Sequence, residues 1–124
     1  MPQVWSSPVR YVECDQQGVV FNSHYLLYCD EAMGTFCAER ELLDLAARVK
    51  LVASSLTWSG SARWGDVIEV DVACHRVGTS SFGVTFDVRT GGSTICAVET
   101  TYVNVDEDGT PTPLSDPERT ALLG

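Results

Sequence analysis

The hydrophobic residues of this chain change their spacing once, near residue 50, and that change decides what it can fold into. From about Ser23 to Arg48 they recur at steps of three and four. Leu26, Cys29, Met33 and Phe36/Cys37 make one stripe, with Leu42, Leu43 and Leu45 beyond it. From Val67 to Val77 the step is two, with Ile68, Val70, Val72 and Cys74 on one side and Glu69, Asp71, Ala73 and His75 on the other. Phe82, Val84, Phe86 and Val88 repeat the alternation between Ser80 and Arg89, and Thr94 to Val105 is a further run rich in β-branched residues. Short turns such as Val77-Gly78-Thr79 and Gly91-Gly92 separate these strands, which predicts antiparallel hairpins rather than crossovers.

A first strand over Val4–Cys14 and another over Lys50–Ser61 complete a β-α-β-β-β-β order. This is an α+β domain, with one long helix on a five- to six-stranded antiparallel sheet. Asn22 or Ser23 is expected to cap the helix with its side-chain oxygen. The stretch Asp106–Gly124, with Pro111, Pro113 and Pro117, reads as loop with a short helix from Pro117. At 124 residues a single domain over 1–124 is expected, large enough for a real core. One helix cannot cover such a sheet and its edges, so a homodimer or homotetramer follows.

Charge narrows the partners. Lys+Arg number 8 and Asp+Glu 17, a formal net charge of −9, which disfavours nucleic acid and anionic membrane surfaces. The five cysteines include no CxxC pair, and His24 and His75 have no metal-ligand spacing, so no metal is expected. The start lacks a basic region followed by an apolar core, and no apolar run reaches membrane length, so the cytoplasm is the expected compartment.

The chemistry concentrates in residues 9 to 33. Asp15 sits in the strand-to-helix connection, three residues before Gly18 and seven before Asn22. A carboxylate facing the free N–H groups of a helix start offers a base or nucleophile beside an oxyanion donor, which suits acyl transfer or hydrolysis. The same spacing also fits an aspartate that merely closes a turn.

The run Tyr11-x-x-x-Asp15-x-x-Gly18-Val19-Val20-Phe21-Asn22-x-x-Tyr25-Leu26-x-Tyr28-x-Asp30-Glu31-Ala32 resembles the signature of the 4-hydroxybenzoyl-CoA thioesterase family of hotdog-fold acyl-CoA thioesterases. Arg63-Trp64-Gly65-Asp66 is similar to that family's aromatic-Gly-Asp turn. Arg76-Val77-Gly78-Thr79-Ser80-Ser81-Phe82 is similar to its second hairpin, and Pro111-Thr112-Pro113-Leu114-Ser115 to its proline-rich exit. The resemblance implies a hotdog fold and hydrolysis of an acyl-CoA to acid and free CoA, the thioester being substrate and no cofactor being needed. It implies Asp15 as nucleophile or general base, the Asn22 amide as oxyanion donor, Tyr11 beside the aspartate and Gly18 in the turn. Asn22 departs from the His or Tyr of many relatives, which argues against a hotdog dehydratase.

For substrate binding the resemblance points to Asp30 near the acyl group. Phe21, His24, Tyr25 and Ser61 stand near the helix start and across a subunit interface, with Arg76, Ser80 and Ser81 on the second hairpin. Arg76, Arg89, Arg63 and Lys50 are the cations available to the phosphates. An acyl-carrier-protein thioesterase and a non-catalytic acyl-thioester binder are the competing readings.

Overall fold

The computed structural model describes residues 2–124. The alternating runs form the strands β2 (Val49–Trp58), β3 (Val67–Val77), β4 (Ser81–Thr90) and β5 (Ser93–Asn104), preceded by β1 (Gln3–Pro8). They make one five-stranded antiparallel sheet in the order β1-β3-β4-β5-β2. Helix α1 (His24–Glu39) lies on one face, packed against β1, β3 and β4. Ile68, Val70, Val72, Phe82, Val84, Phe86, Val88 and Val98 point into this layer together with Phe36 and Cys37, all fully buried. The hotdog architecture expected from the sequence is therefore the one found.

Three boundaries differ from the expectation. The first strand stops at Pro8, with one further backbone bond from Val9 N–H to Asp66 O at 2.9 Å, and Tyr11–Glu13 form a single 3-10 turn instead of continuing to Cys14. The long helix ends at Glu39, and a separate α2 (Leu43–Arg48) follows. The break is a Schellman motif. Leu42 N–H donates to Cys37 O at 2.8 Å and Glu41 N–H to Ala38 O at 3.3 Å, around a left-handed Glu41 with φ 57°. The β2 strand ends at Trp58, not Ser61. Neither Asn22 nor Ser23 caps α1 with its side chain, because Ser23 already has helical angles and the chain enters through a turn from Phe21. The expected C-terminal helix is present as α3 (Asp116–Leu123), capped reciprocally by Ser115 and Glu118.

The two sheet edges are unequal. β1 is six residues long and ends in proline, which protects it, while a register shift falls in both edge pairings, between Gln3 and Trp5 and between Leu51 and Ala53. β2 is ten residues long, with Leu51, Val52 and Trp58 exposed along it. Only its end reaches α1, where Trp58 packs edge-on against Tyr25.

Candidate active site

The loop that carries Asp15 is stitched on both sides. Cys14 bridges Val20, Val19 bridges Arg63, and Val20 N–H donates to Ala62 O at 2.9 Å. Inside the loop, Asp15 N–H donates to Val19 O at 2.9 Å and Gly18 N–H to Asp15 O at 3.0 Å, with Gly18 at φ 80°, where a side chain would be strained. Asp15 Oδ1 accepts from Gln17 N–H at 2.8 Å and, at greater length, from Val19 N–H at 3.4 Å. The turn role allowed by the sequence is thus real, and it uses one oxygen only. Oδ2 accepts from no described residue, and Asp15 lines a surface cavity of about 750 Å³ together with Tyr11, Cys14, Gly18, Arg63 and Trp64.

Tyr11 is 76% exposed and meets Trp64 edge-on, ring centroids 5.5 Å apart, so it walls this cavity rather than packing in the core. Next to it, Glu13 was not singled out in the sequence. It is buried, accepts from the Arg10 amide and guanidinium at 2.7–2.9 Å, and receives the Tyr28 hydroxyl at 2.9 Å. Burial alone pushes its carboxyl up, but Arg10 and Tyr28 outweigh that and hold it below the usual range. An acid three residues after Arg10 was the available signal. Phe21 N–H donates to Glu13 O at 2.9 Å, so this pair also sets the entry of α1.

At that entry the Asn22 and Ser23 N–H groups donate to no described acceptor, while His24 N–H closes back on Phe21 O at 2.9 Å. Phe21 is exposed and stands 6.5 Å from the His24 ring. His24 makes no bond to Asp15, and its Nδ1 is enclosed without a partner. Tyr25 is buried, its hydroxyl accepts the Ala62 N–H at 3.1 Å, and Trp58 packs edge-on against its ring. Ser61 lies exposed beside that contact. Asp30 stands on the flank of α1, where partial burial and then the charge of Glu31 push its carboxyl up.

The remaining residues are far away. Arg76, Ser80 and Ser81 lie at the opposite end of β3 from Arg63, and eleven residues of strand span about 33 Å. Arg76 donates to Thr101 Oγ1 at 3.2 Å on the face away from α1. Arg89 leaves the pool of free cations, since it is held by both oxygens of Asp71 at 2.9 Å. Among the described residues no three His, Cys, Asp or Glu side chains gather as a metal-ligand set, and no helix is long and apolar enough to cross a membrane.

Known proteins agree with this architecture. A 1,4-dihydroxy-2-naphthoyl-CoA thioesterase from Synechocystis superposes with a TM-score of 0.85 at 20% identity, over 95% of this chain and 93% of its own. A thioesterase from Thermus thermophilus, solved with coenzyme A and Zn, superposes with a TM-score of 0.88 at 21% identity, over 95% and 89%. At that identity the likeness speaks for the fold. A protein of Aquifex aeolicus, provisionally named an esterase, is 26% identical over 93 residues, 71% of this chain and 73% of its own. The model of the thioesterase superfamily matches residues 17–97. The chain therefore belongs to the thioesterase superfamily and is a thioester hydrolase of the hotdog fold.

Proposed function

We propose that this chain hydrolyses an acyl-CoA to a carboxylic acid and free CoA, in a site completed by a second copy of itself. The observation that carries this reading is the half-occupied Asp15 carboxylate on the cavity wall, with Oδ1 fixed by loop amides and Oδ2 without a described partner, in the connection that leads into α1. Oδ2 attacks the thioester carbonyl or takes a proton from an attacking water. The developing oxyanion is received by the unoccupied Asn22 N–H, strengthened by the partial positive charge of the helix start. The C–S bond then breaks and the thiolate leaves, taking a proton from solvent. On the direct route, water hydrolyses the acyl-aspartate. Tyr11 walls the pocket and Gly18 shapes the loop that presents Asp15.

The second copy answers a distance. A CoA held at Asp15 cannot also reach Arg76, Ser80 and Ser81 of the same chain, about 33 Å along the sheet. Antiparallel self-pairing of the free β2 edge turns the partner's far end toward this chain's Asp15. Centred on Ala53 and Ser54, it sets Lys50 opposite Thr57. β2 carries no other charge, so the two lysines stand at opposite ends without repulsion. The exposed Leu51, Val52 and Trp58 become the seam. Asp30, Phe21, His24, Tyr25 and Ser61 then line or support the acyl side of the pocket, and the partner's hairpin takes the nucleotide.

The Thermus thermophilus relative solved with coenzyme A supports CoA as the carrier. Hydrolysis of a mixed acyl-CoA panel by wild type and by Asp15→Asn tests the reading. Turnover by wild type and at least a hundredfold loss in the variant are expected, and full activity of Asp15→Asn overturns it.

A further inference from the structure

The turn between β3 and β4 presents hydrogen-bond donors because its acceptors are tied down elsewhere. Its four carbonyls are all occupied. Gly78 O accepts from Arg119 Nη1 at 2.6 Å and Thr79 O from Leu114 N–H at 2.9 Å. Ser80 O accepts from Asn104 N–H at 2.8 Å, and Ser81 O from Gly78 N–H at 2.7 Å. By contrast, the N–H groups of Thr79 and Ser80 and the hydroxyls of Ser80 and Ser81 donate to no described residue. The turn is tight as well, since a Cβ on Gly78 would stand 3.1 Å from Ser81 Oγ.

Three of those four bonds come from the end of β5 and the segment after it. Asn104 is buried; its Oδ1 accepts Arg48 Nε at 3.2 Å and its Nδ2 donates to Thr112 O at 3.1 Å. Arg48 also pairs with Glu118, which burial alone would raise but Ser115 and Arg48 hold low, so it stays charged. Helix α3 is thereby fixed to α2 and, through Arg119, to the turn. The superfamily match covers Arg48 and the turn but ends at residue 97, before Asn104, Leu114 and the whole of α3.

We infer that the C-terminal segment, through Arg119, is the positioning device for the CoA phosphates: it turns the carbonyls of residues 78–81 inward so that only donors face the ligand. This rests on the reading above that Ser80 and Ser81 receive the nucleotide. It also explains how a chain of net charge −9 holds a polyanion, because an aligned set of hydrogen-bond donors replaces a cluster of cations.

The test compares CoA with pantetheine, which lacks every phosphate, by titration calorimetry on wild type, Arg119→Met and Arg119→Lys. Arg119→Met weakens CoA binding roughly 3- to 10-fold, raises KM for an acyl-CoA by the same factor at unchanged kcat, and leaves pantetheine binding alone. Arg119→Lys, which can still donate to Gly78 O, recovers part of the loss. Equal weakening of CoA and pantetheine overturns the inference, as does unchanged CoA binding in Arg119→Met or a wild type that binds both alike. Failure of the parent reading shows separately, as full activity in Asp15→Asn.

Discussion

Tyr28 donates its hydroxyl to Glu13 Oε1 at 2.9 Å, and this bond ties the second turn of α1 to the turn just before the Asp15 loop. Both residues are buried, and Arg10 completes the coordination of the carboxylate from the surface. Burial and the neighbouring carboxylate push the Tyr28 hydroxyl up, so it remains a donor throughout the working pH range. A carboxylate so held is a support for the loop, distinct from Asp15 two residues later, the carboxylate proposed to react.

Glu13 therefore makes stability depend on acid. Its folded carboxyl titrates below the ordinary value of 4.5, so its contribution is complete above that value and is lost as the pH falls through the folded one. Glu13→Gln is expected to cost about 1–2 kcal/mol at pH 7, with a gap to wild type that is narrower at pH 3 than at pH 7. Urea unfolding at both pH values measures it; a gap that widens in acid would contradict the assignment.

The end of α1 stores strain in one residue. Glu41 adopts φ 57° to close the Schellman turn, a conformation that costs a side chain but not glycine. Glu41→Gly is expected to stabilise the fold by about 0.5–1 kcal/mol, despite the more flexible unfolded chain. Thermal unfolding checks the sign, and a lower melting temperature would refute it.

The same residue shows where the sequence stops being legible. The periods of β3, β4 and β5 are two because one face enters the buried core and the other meets solvent, so these strands could be read directly. The helix stop could not, because the left-handed position is filled by Glu41 without the glycine that usually marks it. Val9 and Tyr11 imitate strand alternation, yet the strand ends at Pro8 and Tyr11 turns out to solvent. At the candidate site, Asp15 and Asn22 could be considered together because loop and helix start are neighbours in sequence. The bond from Arg119 to Gly78 joins residues 41 apart, and no local pattern announces a contact of that range.

The five thiols should divide sharply. Cys29, Cys37 and Cys96 are buried, and burial pushes Cys37 and Cys96 up to about 11, with Cys29 higher still. Cys14 and Cys74 are half-exposed, and burial slows Cys74 by raising its thiol. With an aromatic disulfide reagent at pH 8, Cys14 is expected to react first, Cys74 more slowly, and the other three only in urea. Mass mapping of the labelled peptides decides it, and rapid labelling of Cys29 or Cys96 in the native protein would contradict the packing.

The β2 edge carries the last prediction. An exposed ten-residue edge bearing Leu51 and Val52 is an aggregation hazard unless a defined partner covers it, and self-pairing satisfies its open backbone groups and its apolar side chains together. Glutamates at both positions would place like charges along a seam that now holds none but the outlying Lys50. Leu51→Glu with Val52→Glu should leave the subunit folded, since both side chains are already exposed in it, and should lower the solution mass to that of one chain, 13.5 kDa. If the partner supplies the phosphate-binding turn, acyl-CoA hydrolysis falls at least tenfold with the dimer. Light scattering beside the activity assay separates the outcomes. A monomer with full activity would show that one chain holds the whole site, and a variant that stays dimeric would move the seam away from β2.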